Sequence, residues 1–320
     1  MMNYLNTYRR YACDIERINY EAKNNAKDFI KMNEKVFRHD LRLIVEQISG
    51  IPSKRHIILL SGPSSSGKTT TAKKLCDEFM RKNIDVKHIS MDDFYLGEEY
   101  VERLPNGKPD FESVNALDIP LIKESIQKLA NTGECVIPKY DFKKSRRSSQ
   151  TQTVTVGENS VIIMEGIHAL NPIFSEDMPT DVVSKLYVAV KQGIKDNEEY
   201  VLTNREIRFI RRLVRDYHFR KVDPEYMVAM WNSVIEGEKK YIRPYRYTSD
   251  FTVNTIHIYE PCIMKEVAVK LLGEIGAYHS EYEFATHLIE ALQRFESIDL
   301  SLIPKNSLIR EFIGGGSYTY

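Results

Sequence analysis

The chain has 320 residues, with 45 basic and 45 acidic side chains and a formal net charge of zero. That length suits one large α/β domain with additions, or two small ones, and the balanced charge argues against nucleic acid bound along a broad basic face. The four cysteines (Cys13, Cys76, Cys135, Cys262) are scattered without a C-x-x-C pair, which excludes a disulfide frame or zinc site and suits a reduced, cytoplasmic protein. No apolar run approaches the roughly 18 residues of a membrane span, and the polar N-terminus is unlike a signal peptide.

Residues 1 to about 50 have few breakers and helix-like apolar spacing, and Gly50 and Pro52 end the run. His56–Ser61 then reads as a short buried strand. It enters "SGPSSSGKTT", in which Gly62 and Gly67 stand five apart and Lys68 and Thr69 follow. This is the G-x-x-x-x-G-K-[ST] pattern of a phosphate-binding P-loop. Its glycines let the backbone turn so that N–H groups converge on anionic oxygens. The loop from Gly62 through Ser64, Ser65, Ser66, Gly67, Lys68, Thr69 and Thr70 is therefore expected to hold the phosphates of a nucleoside triphosphate. Lys68 would reach the β- and γ-phosphates, and the Thr69 hydroxyl would ligate Mg²⁺.

A helix is expected over Thr69–Lys82, with Ala72, Leu75, Cys76 and Phe79 on one face. A strand over Val86–Ser90 ends just before Asp92 and Asp93, and a helix over Ile119–Ala130 follows. The apolar strand Val161–Glu165 ends on a carboxylate, and Leu186–Val190 reads as the next strand. Helices over Glu206–His218 and Pro224–Glu238, a strand over Phe251–Ile258 and a helix over Pro261–Leu272 complete the alternation. Such alternation predicts an α/β, doubly wound, mainly parallel sheet of the P-loop NTPase type. Helix Glu281–Phe295 and a tail ending "GGGSYTY" come last. The expected organisation is a helical segment 1–52, a P-loop domain 53–275 with an arginine-rich segment at about 206–222, and a C-terminal helix and tail 276–320.

In a doubly wound sheet the strand ends carrying Asp92 and Glu165 converge near the P-loop. Phosphoryl transfer needs Mg²⁺ on oxygen ligands and a carboxylate on the nucleophile. Glu165 suits the metal, and Asp92 suits the acceptor hydroxyl and the edge of the metal site. Arg208, Arg211, Arg212 and Arg215 recur at i, i+3, i+4 and i+7 on one helical face, with Ile207, Ile210 and Val214 on another. Like charges so spaced repel, so an anionic partner, the polyphosphate, is expected to face them.

Together, "GPSSSGKTT", "DDFY" (92–95), "IPKYDFKKSRR" (137–147), "IMEGIHAL" (163–170) and "RRLVRD" (211–216) resemble the uridine kinase branch of the phosphoribulokinase/uridine kinase family. The ending "IPKNSLIREFIGGGSYTY" is similar to that of a bacterial subgroup of nucleoside kinases. Members of that subgroup often carry an N-terminal segment similar to threonyl-tRNA synthetase, which is expected to be absent here. The resemblance implies ATP-dependent phosphorylation of a nucleoside 5′-hydroxyl, with uridine or cytidine as acceptor. It makes Asp92 the catalytic base, chosen over Asp93 by the motif, and Thr69 and Glu165 the Mg²⁺-associated positions. Tyr95, Tyr140 and Phe142 match aromatic positions lining the nucleoside site, and Arg212, Arg215 and Arg220 match lid positions.

The chain departs from the family pattern on the acceptor side. "FESV" stands where F-D-H-P is common, so Glu112 replaces an aspartate that binds the ribose hydroxyls. Ser145 stands for a base-contacting histidine, Met230 for a glutamine, and Lys221-Val222 for the Gly-Arg that ends the lid. A kinase for another hydroxylated metabolite, such as a sugar phosphate or pantothenate-like acid, is the nearest alternative. Lys143, Lys144, Arg146 and Arg147 would then meet the acceptor's anion. A regulatory, RNA-associated NTP-binding module is the alternative of another class. The terminal helices leave a homo-oligomer open.

Overall fold

The computed structural model describes residues 13–103, 107, 109–141 and 144–319. Two helices open the described chain, α1 (Ile15–Asn24) and α2 (Ala26–Ser49). The single helical run expected from sequence is broken at Asn25, whose ψ of 28° at φ −139° is not helical. The Asp14 side chain caps α1 by accepting from the Arg17 N–H at 3.1 Å. Helix α2 ends at Gly50, as expected.

The alternating part follows as β1 (Arg55–Ser61), α3 (Lys68–Arg81), β2 (Asp85–Ser90), α4 (Ile119–Asn131), the hairpin β3 (Glu134–Asp141) and β4 (Arg146–Thr155), then β5 (Ser160–Glu165) and β6 (Val183–Ala189). A second hairpin of β7 (Ile194–Asp196) and β8 (Glu199–Leu202) leads to α5 (Asn204–Arg215), α6 (Pro224–Tyr241), β9 (Phe251–Asn254), α7 (Glu260–Leu272), α8 (Tyr282–Gln293) and the single turn α9 (Arg310–Ile313).

The five-stranded sheet has the order β2-β5-β1-β6-β9, with every pairing parallel. Strands β1 and β5 lie inside it, which is why "HIILLS" and "VIIME" are apolar almost throughout. The register pairs Leu60 and Ser90 with Glu165. The P-loop, the turn after β2 and the end of β5 therefore emerge together at the carboxyl edge, where α/β sheets bind ligands.

Both hairpins escaped the sequence reading. Strand β4, "RRSSQTQTVT", offers no apolar run, because most of it is exposed or half-exposed. Strand β9 stops at Asn254, four residues short of the expected end, because Asn254 turns the chain: its side chain accepts from the Lys191 and Ile256 N–H groups at 3.1 and 3.3 Å.

One face of the sheet is covered by α4 and the β3–β4 hairpin, through Ile57, Leu59, Ile122, Ile126 and Leu129. The other face carries a larger core shared by α2, α3, α5, α7, α8 and the tail. Phe37, Leu41, Ile58, Leu60, Leu75, Leu288, Leu308 and Phe312 belong to this one cluster. Helix α2 and the tail thus join the core on this face of the sheet, and the tail reaches the P-loop.

Candidate active site

The P-loop is built by close approach. A Cβ on Gly62 would collide with the Val188 carbonyl. Gly67, at φ +85°, caps α3 in the left-handed region, and its Cα faces Leu308 of the tail. Two contacts brace the loop from beneath. Thr255 Oγ1 donates to the Ser66 carbonyl at 2.6 Å, and Arg211 Nη1 donates to the Ser65 carbonyl at 3.3 Å. Lys68 Nζ lies 3.4 Å from the Pro63 carbonyl, and its charge acts on Asp92, Glu112 and Glu165. Thr70 differs from its expected use: its N–H and hydroxyl both donate to Glu311 Oε2, at 3.1 and 2.6 Å.

The expected acidic residues do meet. Thr69 Oγ1 donates to Glu165 Oε1 at 3.1 Å. Burial pushes the Glu165 carboxyl up to about 7, against the pull of Lys68, with Asp92 and Glu311 adding repulsion and the Thr69 hydrogen bond opposing it. Asp92 sits in a short 3₁₀ turn (Met91–Phe94) capped by Ser90. Burial raises its carboxyl too, with Lys68, Arg220 and Arg215 opposing and Asp93 reinforcing.

Asp93 has a different occupation. It accepts from Lys139 Nζ at 2.7 Å and from the Tyr140 N–H at 3.3 Å, which ties the turn to the β3–β4 hairpin. That pairing turns Asp93 to the hairpin and leaves Asp92 among Lys68, Arg215 and Arg220.

Glu165, Asp92 and the Thr69 hydroxyl are all hard oxygen donors, so they fit Mg²⁺. Among the described residues, no group of three His, Cys, Asp or Glu side chains stands close enough to cage an ion. Mg²⁺ takes one or two protein carboxylates and completes its shell with phosphate oxygens and water.

The arginines do not form one free cationic face. Arg208 is buried and paired with Glu238 at 2.6 Å. Arg211 is fully buried: Nε and Nη2 donate to Glu260 at 2.5 and 2.9 Å, and Nη2 also donates to the Thr255 carbonyl at 2.7 Å. Arg211 was expected to contact the nucleotide, and instead its guanidinium is consumed beneath the loop.

Arg212, Arg215 and Arg220 do gather at the site. Arg212 Nη1 donates to Ser64 Oγ at 3.0 Å. All three surround Asp216, at 3.4, 2.7 and 3.5 Å. Burial would raise the Asp216 carboxyl, but Arg215, Arg220 and Arg212 hold it below its usual range. Helix α5 gives way at Asp216 to a π-helical turn that ends on Lys221 at φ +55°. Lys221 is where the family pattern has glycine, and the left-handed backbone explains that preference.

On the acceptor side, Tyr95 stands 5.8 Å from both Phe111 and Tyr140 by ring centroids, and its hydroxyl donates to the Phe111 carbonyl at 3.1 Å. Glu112 packs against Gly237 of α6, with burial raising its carboxyl and Arg212 and Lys68 opposing. Arg147 is tied down: Nη1 donates to Asp118 at 3.0 Å and Nη2 to the Phe94 carbonyl at 3.4 Å. Phe142 lies outside the described residues. Phe111, Thr255, Glu260 and Glu311 were missed from sequence. Only "FESV" stood beside a motif, and the others lie far along the chain from the loop they serve.

The model of the Phosphoribulokinase / Uridine kinase family matches residues 57–259. The chain belongs to this family. As a member it is a P-loop phosphotransferase acting on a hydroxyl group. It is 31 % identical over 193 residues to a uridine kinase of Lactobacillus helveticus, covering 58 % of this chain and 82 % of that protein. It is 27 % identical over 203 residues to a uridine kinase of Clostridium tetani, covering 63 % and 88 %. Among solved structures it is similar to a possible uridine kinase from Bacillus stearothermophilus, with TM-score 0.43 and 16 % identity over 66 % of this chain and 96 % of that one. No helix among the described residues is long and apolar enough to cross a membrane.

Proposed function

We propose that this kinase transfers the γ-phosphoryl group of ATP to the 5′-hydroxyl of uridine or cytidine. The observation that carries the reading is the meeting of Lys68, Thr69–Glu165 and Asp92 at the carboxyl edge, beside the Tyr95–Tyr140 pair. In this reading the loop amides and Lys68 hold the phosphates. Thr69 and Glu165, with Asp92 at the edge, would hold Mg²⁺, which would neutralise phosphate charge during transfer. Asp92 accepts a hydrogen bond from the acceptor hydroxyl and aligns it for in-line attack. Arg212, Arg215 and Arg220 meet the transferring phosphoryl, with Asp216 setting their spacing. The aromatic pair offers flat faces to a nucleobase, and Glu112 accepts from the ribose hydroxyls.

A sugar-phosphate or pantothenate-like acceptor is less well served. Among the described residues, Arg147 is spent on Asp118 and Lys144 lies 3.7 Å from Asp141. Asp92 and Asp110 add repulsion at Glu112, where Arg212 and Lys68 oppose it.

ADP release from Mg·ATP against uridine, cytidine, adenosine, guanosine, thymidine, ribose, ribulose 5-phosphate and pantothenate tests the proposal. Strong stimulation by uridine or cytidine is expected. Stimulation by another acceptor alone would reassign the pocket. ATP binding without any acceptor effect, together with RNA binding that falls steeply with salt, would favour the regulatory module.

The raised Glu165 carboxyl adds a second expectation. A ligand carboxylate must be deprotonated, and the Glu165 carboxyl is raised to about 7, so protons compete with Mg²⁺ below that pH. Magnesium affinity of the nucleotide-free enzyme should fall as the pH drops below about 7 and level off above it. Calorimetric Mg²⁺ titrations from pH 5.5 to 8.5 check this, and Glu165→Gln should flatten the profile.

A further inference from the structure

The tail that the proposed chemistry leaves unused holds a carboxylate inside the P-loop. The Thr70 N–H lies in the first turn of α3, where the helix itself offers no acceptor, and Glu311 Oε2 takes both it and the Thr70 hydroxyl, at 3.1 and 2.6 Å. Thr69, the preceding residue, faces Glu165 at 3.1 Å. Successive helical residues turn by about 100°, so Thr70 points away from the end of the loop where the reacting phosphoryl belongs. A triphosphate whose terminal group lies at Lys68 and Glu165 brings its innermost phosphate to that other side.

We infer that Glu311 is a donor-selecting residue whose carboxylate competes with the innermost phosphate of a nucleoside triphosphate for Thr70. This rests on the reading of the loop as the nucleotide site. The backbone under Glu311 is not free to leave. Leu308, Ile309 and Phe312 are fully buried. Leu308 packs on Gly67, and the Arg211 guanidinium sits 4.9 Å over the Phe312 ring. Arg310 donates to the Ile303, Leu300 and Gly314 carbonyls at 2.7, 3.0 and 3.1 Å. Only the Glu311 side chain can swing away, so each ATP that uses Thr70 must first displace a charge-assisted pair of hydrogen bonds and then tolerate the displaced anion nearby. A ligand with two linked phosphates, seated at Lys68 and Glu165, avoids that exchange.

The test compares Mg·ATP and Mg·pyrophosphate binding by calorimetry in wild type, Glu311→Gln and Glu311→Ala, with thermal melts confirming that each variant is folded. The glutamine keeps the size and loses the charge, so ATP should bind about tenfold more tightly (about 1.4 kcal/mol) and pyrophosphate distinctly less than tenfold. The alanine should shift ATP at least as far. An equal gain for both ligands would reduce Glu311 to bulk repulsion and overturn the inference. Unchanged or weaker ATP binding would also overturn it, while leaving the nucleotide reading intact. Failure of all three proteins to bind ATP would overturn both.

Discussion

Asp92→Asn should lower kcat by about 10²–10⁴-fold, the range associated with losing a positioned acid–base group, while Mg·ATP affinity changes little. Asn keeps the size of the side chain and its place in the turn capped by Ser90. In the proposed chemistry it loses the charge that would align a hydroxyl against the phosphoryl. Because the transition state is loose, early proton transfer matters less than this alignment. Asp93→Asn is the informative companion. It weakens a tie to Lys139 and Tyr140, so its effect should fall mainly on stability and on acceptor KM. Steady-state kinetics with saturating acceptor, beside ATP calorimetry, separates the two. Wild-type turnover in Asp92→Asn would remove Asp92 from the chemistry.

The second large effect concerns stability. Arg211→Met should destabilise the fold by about 3–5 kcal/mol, the range for removing one partner of a buried ion pair. Glu260 is itself buried. Without Arg211 it keeps, among the described residues, the hydrogen bond from the His257 N–H at 3.0 Å and loses the guanidinium. The Ser65 and Thr255 carbonyls lose a donor as well. Adding Glu260→Met should return much of the loss, because no buried charge is then left alone. Urea unfolding of the single and double variants reads this directly. A single variant as stable as wild type would mean that water reaches the Glu260 carboxylate.

Arg211 also shows where sequence reasoning stopped. The i, i+3, i+4, i+7 spacing placed four arginines on one helical face, and they do share α5. Spacing along a helix says nothing about what packs against each residue. Glu238 and Glu260, which neutralise Arg208 and Arg211, lie 30 and 49 residues further on. The remaining two turn toward Ser64 and Asp216.

Local chemistry and its order could be read directly from the sequence. The P-loop, the strand before it and the helix after it were legible because glycine spacing and apolar runs report backbone conformation directly. The parallel sheet followed from alternation, since strands buried on both faces must be apolar throughout. Asp92 and Glu165 were legible as strand-end acids. Tertiary structure alone decided the rest. It turned Asp93 to the hairpin and Asp92 to Lys68, bound Arg147 to Asp118, and gave β4 a place despite its polar sequence. It also brought Glu311 to Thr70 across a separation of 241 residues. Each of these is a pairing of charges or hydrogen-bond groups whose partner is chosen by packing in three dimensions, and no local pattern along the chain encodes that choice.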